Sequence, residues 1–240
     1  MRTTVYRPSQ AEVKLNNTIL QNVDQNPYLE LQFSGDLTWT PHITKIAKKA
    51  SHNLGFIRRN LHHCPKICRK SAYLAIVRST LEYGSIVWDP YMDKDIKILE
   101  QIQRKAARFI TGDYYSRDIG SMTRMLQELN LPTLQQRRKD ARLTFLYKIS
   151  QGLVPGIPCE NYLIPQKVKR IIKAKKFKDC VVNNFVQRHQ NLNKNSYELI
   201  EAKSDLYKNS FFPKTIAEWN QLEFTAKNLK NFKNQLAQLH

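Results

Sequence analysis

From Thr40 onward the apolar residues recur at steps of three and four. Ile43, Ile46, Ala47, Ala50, Leu54, Ile57 and Leu61 fall on one stripe, the spacing of a helix with a single buried face. Thr40 followed by Pro41 suits an N-cap and first helical position. Pro65 opens a second predicted helix over PKICRKSAYLAIVRSTLEYG, and Asp89-Pro90 separates it from a third, DKDIKILEQIQRKAARFITG. In the third, Ile98, Leu99, Ile102, Ala106, Phe109 and Ile110 line one side. A short helix around Met122–Leu129 follows. Pro132 then starts a longer one with Leu134, Ala141, Phe145 and Ile149 inward and Gly152 as its stop. Ahead of Thr40 the pattern is that of strands: Val13, Leu15, Ile19, Leu20 and Val23 around the turn-prone Asn16-Asn17, then Tyr28, Leu29, Leu31 and Phe33 after Pro27. Residues 155–205 are less regular, and SFFPKTIAEWNQLE and NLKNFKNQLAQL predict two short closing helices. The expected fold is mainly α, a helical bundle with a small N-terminal β element. Its predicted parts are 1–38 (β-rich), 39–152 (helical), 153–205 (a basic linker) and 206–240 (short helices).

Charge adds a partner to this picture. The 240 residues carry 39 Lys+Arg against 20 Asp+Glu, a net charge of +19, too lopsided for a typical small-molecule enzyme and suited to a polyanion. Two blocks hold most of it. Residues 41–80 have nine basic side chains and no acidic one, and residues 161–200 have nine basic and two acidic, with the run Lys167–Lys178 inside the second block. Lys45, Lys48, Lys49, His52, Arg58 and Arg59 lie largely off the apolar stripe of the first helix, and Arg104, Lys105 and Arg108 lie off that of the third. Each helix therefore offers one face to a core and one to a polyanion. No apolar run approaches a membrane span, and the segment after Met1 lacks the apolar middle of a signal peptide. Cys64, Cys68, Cys159 and Cys180 read as reduced thiols of an intracellular chain.

Catalytic constellations are sparse. None of the seven glycines forms a phosphate-cradling loop. Asp93 and Asp95 read as helix N-terminal acids rather than as a metal pair. His62, His63, Cys64 and Cys68 do not have a standard zinc spacing, and Cys68 is expected as a buried thiol on the second helix. Trp39, Phe56, Tyr83, Trp88, Phe109, Tyr147 and Trp219 stand among apolar neighbours and read as packing residues.

Several word-like stretches occur in a fixed order: LTWTPHI at 37–43, LGFIRRNL at 54–61, LEYGSIVWDPY at 81–91, IQRKAARFITGDY at 102–114, LPTLQQRRKDARLTFLYKI at 131–149 and YKNSFFPKTIAEWNQL at 207–222. Over residues 11–150 and 205–225 they resemble the C-terminal part of the reverse transcriptase encoded by non-LTR retrotransposons of the jockey and chicken-repeat type. The resemblance implies a helical thumb over residues 40–150, with Tyr28-Leu29-Glu30-Leu31 matching the last strands of the palm. In that family the thumb rests on the primer–template duplex and holds it by the backbone, a task that needs cations and no base reading. The expected phosphate contacts are Lys45, Lys48, Lys49, Arg58 and Arg59, with Lys66, Arg69, Lys70, Arg104, Lys105 and Arg108 as a second tier.

The family's aromatic-Ala-Asp-Asp metal motif lies upstream of this region, and the chain contains no Asp-Asp. The resemblance therefore implies no catalytic residue, metal ligand or cofactor in this chain, Mg²⁺ belonging to the palm of the parent enzyme. It further implies a chain inactive alone, with an RNA–DNA hybrid or DNA duplex and an upstream palm and fingers as partners, in the nucleus after cytoplasmic transit. Three departures stand out. Glu30 replaces the usual glycine and places a charge in a β word, Glu223 replaces the proline after Trp-Asn-x-Leu, and residues 170–203 are long and lysine-rich. The alternative expectation is a helical protein–protein scaffold whose charge serves solubility.

Overall fold

The helical spacing after Thr40 becomes a 21-residue helix, α1 (Thr40–Asn60), in the computed structural model. The structure describes residues 14–16, 18–20, 23–166, 196–222, 226 and 228–239, so the Lys167–Lys178 run and Glu223 lie outside the described residues. Two compact units divide the chain, Met1–Thr44 and Lys45–His240.

The first unit holds two antiparallel hairpins. β1 (Lys14–Leu15) pairs with β2 (Thr18–Ile19), and β3 (Gln25–Tyr28) pairs with β4 (Leu31–Ser34) in the register Gln25 to Ser34 and Tyr28 to Leu31. Leu29 and Glu30 form the two-residue turn of the second hairpin with φ of 48° and 66°. Glu30 is thus an exposed turn residue, not a charge within a strand. Both turn positions are left-handed, the conformation a two-residue hairpin of matching twist requires and glycine adopts most readily, which explains why a glycine suits this position. Behind the hairpin, the Trp39 ring lies edge-on to Phe33 at 5.3 Å and to the His42 ring at 6.2 Å, and the Gln32 N–H donates to His42 Nδ1. Trp39 is a packing residue here, as its apolar neighbours predict.

The second unit carries the rest of α1 and the remaining helices. α2 (Lys66–Ala72) runs through a π-helical stretch at Tyr73–Arg78 into α3 (Ser79–Glu82), and α4 (Ser85–Trp88) follows a left-handed Gly84. Then come α5 (Asp93–Thr111), α6 (Ser121–Glu128) and α7 (Leu134–Ser150). α8 (Asp205–Lys208), α9 (Phe211–Trp219) and α10 (Leu229–Gln238) close the chain. Among the described residues no helix is long and apolar enough to cross a membrane.

The α1 stripe is buried as predicted from Ile43 through Ile57. On α5, Leu99, Ile102, Ala106, Phe109 and Ile110 are buried, whereas Ile98 is exposed because its position lies at the edge of that face. Thr133, not Pro132, begins α7: its hydroxyl accepts from the Gln136 N–H and caps the helix. α7 also departs from a single apolar face. Leu134, Leu143, Leu146, Tyr147 and Ile149 are buried, and so are Arg138 and Arg142, which places the helix in the interior on several sides.

The C-terminal helices share a core with α7: Leu143, Leu146, Tyr147 and Ile149 pack with Leu163, Ile216, Trp219, Leu222, Phe232 and Leu236. Tyr147 stacks on Phe232 at 4.7 Å, and Trp219 stacks on the same ring at 5.4 Å. Around α5 a polar link runs through the interior. The buried Tyr73 hydroxyl donates to Gln103 Oε1 at 2.9 Å, and the Gln103 amide donates to the Pro132 carbonyl at 2.9 Å. Burial pushes the Tyr73 phenol well above its ordinary value, so it stays a neutral donor.

Trp88 is fully buried, with its indole N–H donating to the Tyr83 carbonyl at 2.8 Å across the Gly84 turn. Phe56 and Tyr83, expected as packing residues, are instead half-exposed at 52% and 56%: Phe56 falls on the outer side of α1, and Tyr83 lies in the turn that ends α3. Trp88→Ala removes the largest of these side chains and is expected to destabilise the protein by about 3–5 kcal/mol in denaturant unfolding. A variant that unfolds at the parent midpoint would contradict this packing.

Candidate nucleic-acid interface

A basic protein must first place the cations that its own fold uses. Asp89, at the end of α4 and only 8% exposed, receives three of them. Its Oδ1 accepts from Arg138 Nε at 2.8 Å, while its Oδ2 lies 3.0 Å from Arg142 Nε and 2.7 Å from Lys214 Nζ. Arg142 continues to the Thr215 hydroxyl at 3.1 Å and to the Glu218 carboxylate at 2.9 and 3.1 Å. Asp89 thus ties α4, α7 and α9 together. The two terminal nitrogens of Arg138 are buried and have no hydrogen-bond partner among the described residues, which makes Asp89 its counter-ion. Beside this network Arg137 forks onto Glu82, and that hydrogen bond raises the guanidinium pKa further.

The predicted phosphate contacts separate once such partners are known. Lys45, Lys48, Lys49 and Arg59 are exposed on α1 and form no ion pair among the described residues. At about 100° per residue these four and the exposed His52 share one side of the helix, and Lys45 to Arg59 covers about 21 Å of its axis. Over that length a duplex presents roughly twelve phosphates. Arg104 and Lys105 on α5 are likewise exposed, and Lys70 is half-buried; none of the three is ion-paired among the described residues.

Other members of the second tier are occupied. Lys66 pairs with Glu128. Arg69 donates to the Phe109 carbonyl at 2.7 Å and lies over the Phe109 ring at 5.7 Å, so it ties α2 to α5. Arg108 donates to the Ser116 carbonyl at 3.1 Å and the Asp113 carbonyl at 3.5 Å, bracing the loop after α5. Their sequence context gave no sign of these carbonyl partners, since side chain–carbonyl bonds have no periodic signature.

Arg58 is exposed like its neighbours but lies about a third of a turn from the α1 stripe, with its guanidinium over the Tyr114 ring at 5.7 Å. That ring belongs to the loop that leaves α5 through Gly112, whose φ of 78° lets the chain turn away in the left-handed region. Asp113 then organises the loop. Its Oδ1 accepts from the N–H groups of Tyr115 at 3.1 Å and Ser116 at 2.9 Å, and its Oδ2 accepts from the Ser116 hydroxyl. The Ser116 hydroxyl, foremost, lowers the Asp113 pKa, so this bracing is complete above the ordinary carboxylate range and is lost as pH falls through the lowered value. Residue pattern alone does not single out Tyr114 and Tyr115; an aromatic pair two residues after a helix-ending glycine, following a basic helix, is the available signal.

Asp93 and Asp95 sit in the first turn of α5, where the helix dipole favours acids. Asp93 is exposed and Asp95 buried, so the two do not make a shared metal pair, and among the described residues no group of three His, Cys, Asp or Glu side chains gathers. Between them, Asp93 and Asp95 do not form the carboxylate pair of a two-metal centre. Cys68, expected as a buried thiol, is exposed, because the buried side of its helix begins only at Tyr73. The chain matches no protein-family model, no curated protein and no solved structure.

The ion network that joins α4, α7 and α9 makes a strong prediction. Asp89→Asn strands buried cations and is expected to lower stability by about 3–5 kcal/mol. Introduced into a Lys214→Met background, the same change should be less damaging, because one of the cations has already gone. Strictly additive losses in denaturant unfolding of the double variant would contradict the network.

Proposed function

We propose that this chain is the nucleic-acid-binding thumb and C-terminal module of a non-LTR retrotransposon reverse transcriptase of the jockey and chicken-repeat type. It grips primer–template duplex, an RNA–DNA hybrid or DNA, by the phosphate backbone. The supporting observation is the α1 stripe: Lys45, Lys48, Lys49 and Arg59 are exposed along one side of a 21-residue helix, and no acidic residue occurs between 41 and 80. Arg104 and Lys105, exposed on α5, supply further cations. Such a surface holds a polyanion without discriminating sequence, which is what a polymerase asks of its thumb.

The words that carry the resemblance also have a common physical role. Asp89 comes from LEYGSIVWDPY, Arg138 and Arg142 from LPTLQQRRKDARLTFLYKI, and Lys214 and Glu218 from YKNSFFPKTIAEWNQL. All five meet in the buried ion network. The palm and fingers, with their Mg²⁺, complete the enzyme on this reading, and the chain alone extends no primer. Its place of work is the nucleus, where an element of this type copies itself into the host chromosome.

A second reading, the protein–protein scaffold, draws on a groove of about 410 Å³ lined by Ile86, Phe145 and Leu236 with Lys148 and Lys233 beside them. Salt dependence separates the two. Replacing Lys45, Lys48, Lys49 and Arg59 with Gln is expected to reduce the slope of log K against log salt by about 0.9 per contact for a B-form duplex, evenly across unrelated sequences. An unchanged slope would remove the α1 face from the interface and favour the scaffold.

A further inference from the structure

The loop between α5 and α6 presents a combination that neither the fold nor a duplex grip requires. Tyr115 is 89% exposed and Ile119 is fully exposed, so neither contributes to the core. Yet the backbone at Tyr115 is fixed. Asp113 accepts its N–H and that of Ser116, and Arg108 holds the carbonyls of Asp113 and Ser116 from the other side. The neighbouring Tyr114 ring carries the Arg58 guanidinium at the end of α1. An exposed aromatic on a braced backbone, near an arginine that forms no ion pair among the described residues, is an arrangement suited to stacking a nucleobase: the ring face is free and the backbone beneath it is already ordered.

We propose that Tyr115 is a stacking platform for an unpaired base at the end of the bound duplex, with Arg58 and Tyr114 beside it. The ligand is a single-stranded overhang of the primer–template. This rests on the duplex-holding reading: α1 grips the paired backbone and the loop receives the base beyond it. Stacking tolerates every base, so the site adds affinity for the junction without adding sequence preference. Arg108 acts here as a positioning residue, through the loop carbonyls rather than through phosphate.

The test uses the full chain, one blunt DNA duplex and the same duplex bearing a short unpaired overhang, with binding followed by fluorescence anisotropy at one salt concentration. The parent is expected to bind the overhang probe about tenfold more tightly than the blunt one. Tyr115→Ala should erase that advantage while leaving blunt-duplex affinity unchanged, and Tyr115→Trp should keep it. Because Tyr115 is exposed, neither variant disturbs the core. A parent that binds both probes equally, or a Tyr115→Ala variant that still prefers the overhang, would overturn the stacking site and leave the duplex grip standing. A parent that binds neither probe would overturn both.

Discussion

Asp89 is a buried carboxylate with three cations around it, and the arrangement of α4, α7 and α9 depends on that charge. Removing a cation from water carries a penalty of several kcal/mol, recovered only if an opposite charge and good hydrogen bonds meet it. Arg138 and Arg142, one turn apart on α7, can enter the interior because Asp89 and Glu218 are there to receive them. The apolar part of the core then closes around the same helices, with Tyr147, Trp219 and Phe232 in mutual contact. Electrostatic pairing fixes which faces of these helices meet, and hydrophobic burial supplies the driving force.

The same pairing sorts the excess positive charge. Arg137, Arg138, Arg142 and Lys214 neutralise interior or half-buried acids, and Arg69 and Arg108 satisfy backbone carbonyls. Lys45, Lys48, Lys49 and Arg59 have no such duty among the described residues. Net charge therefore overstates the candidate interface, and its location follows from asking which cations are already committed. Of the predicted contacts this leaves the stripe on α1 together with Arg104 and Lys105 on α5, both suited to a backbone grip that ignores sequence.

Where side chains obey a single period, the fold was legible in the sequence. The α1 stripe from Ile43 to Ile57 and the inward face of α5 from Leu99 to Ile110 are buried as their spacing predicts. α7 resisted the same reading because two buried arginines break the apolar period, and no local pattern announces partners 49 and 76 residues away. Cys68 and Phe56 are exposed against expectation for a related reason: residue type suggests burial, whereas the face of the helix decides it. Glu30 belongs to a turn that strand propensity alone cannot distinguish from a strand. In the candidate site, the cations of α1 were readable from spacing and the absence of acids, while the structural employment of Arg69 and Arg108 required their three-dimensional partners.

On the proposed reading, bound duplex lies along the α1 stripe of Lys45, Lys48, Lys49 and Arg59. Lysine acetylation of the free chain and of its duplex complex, read residue by residue by mass spectrometry, tests this directly. Lys45, Lys48 and Lys49 should be modified readily in the free chain and become protected when duplex is bound, while Lys214, held by Asp89, should react poorly in both states. Equal modification of Lys45, Lys48 and Lys49 with and without saturating duplex would contradict the claim.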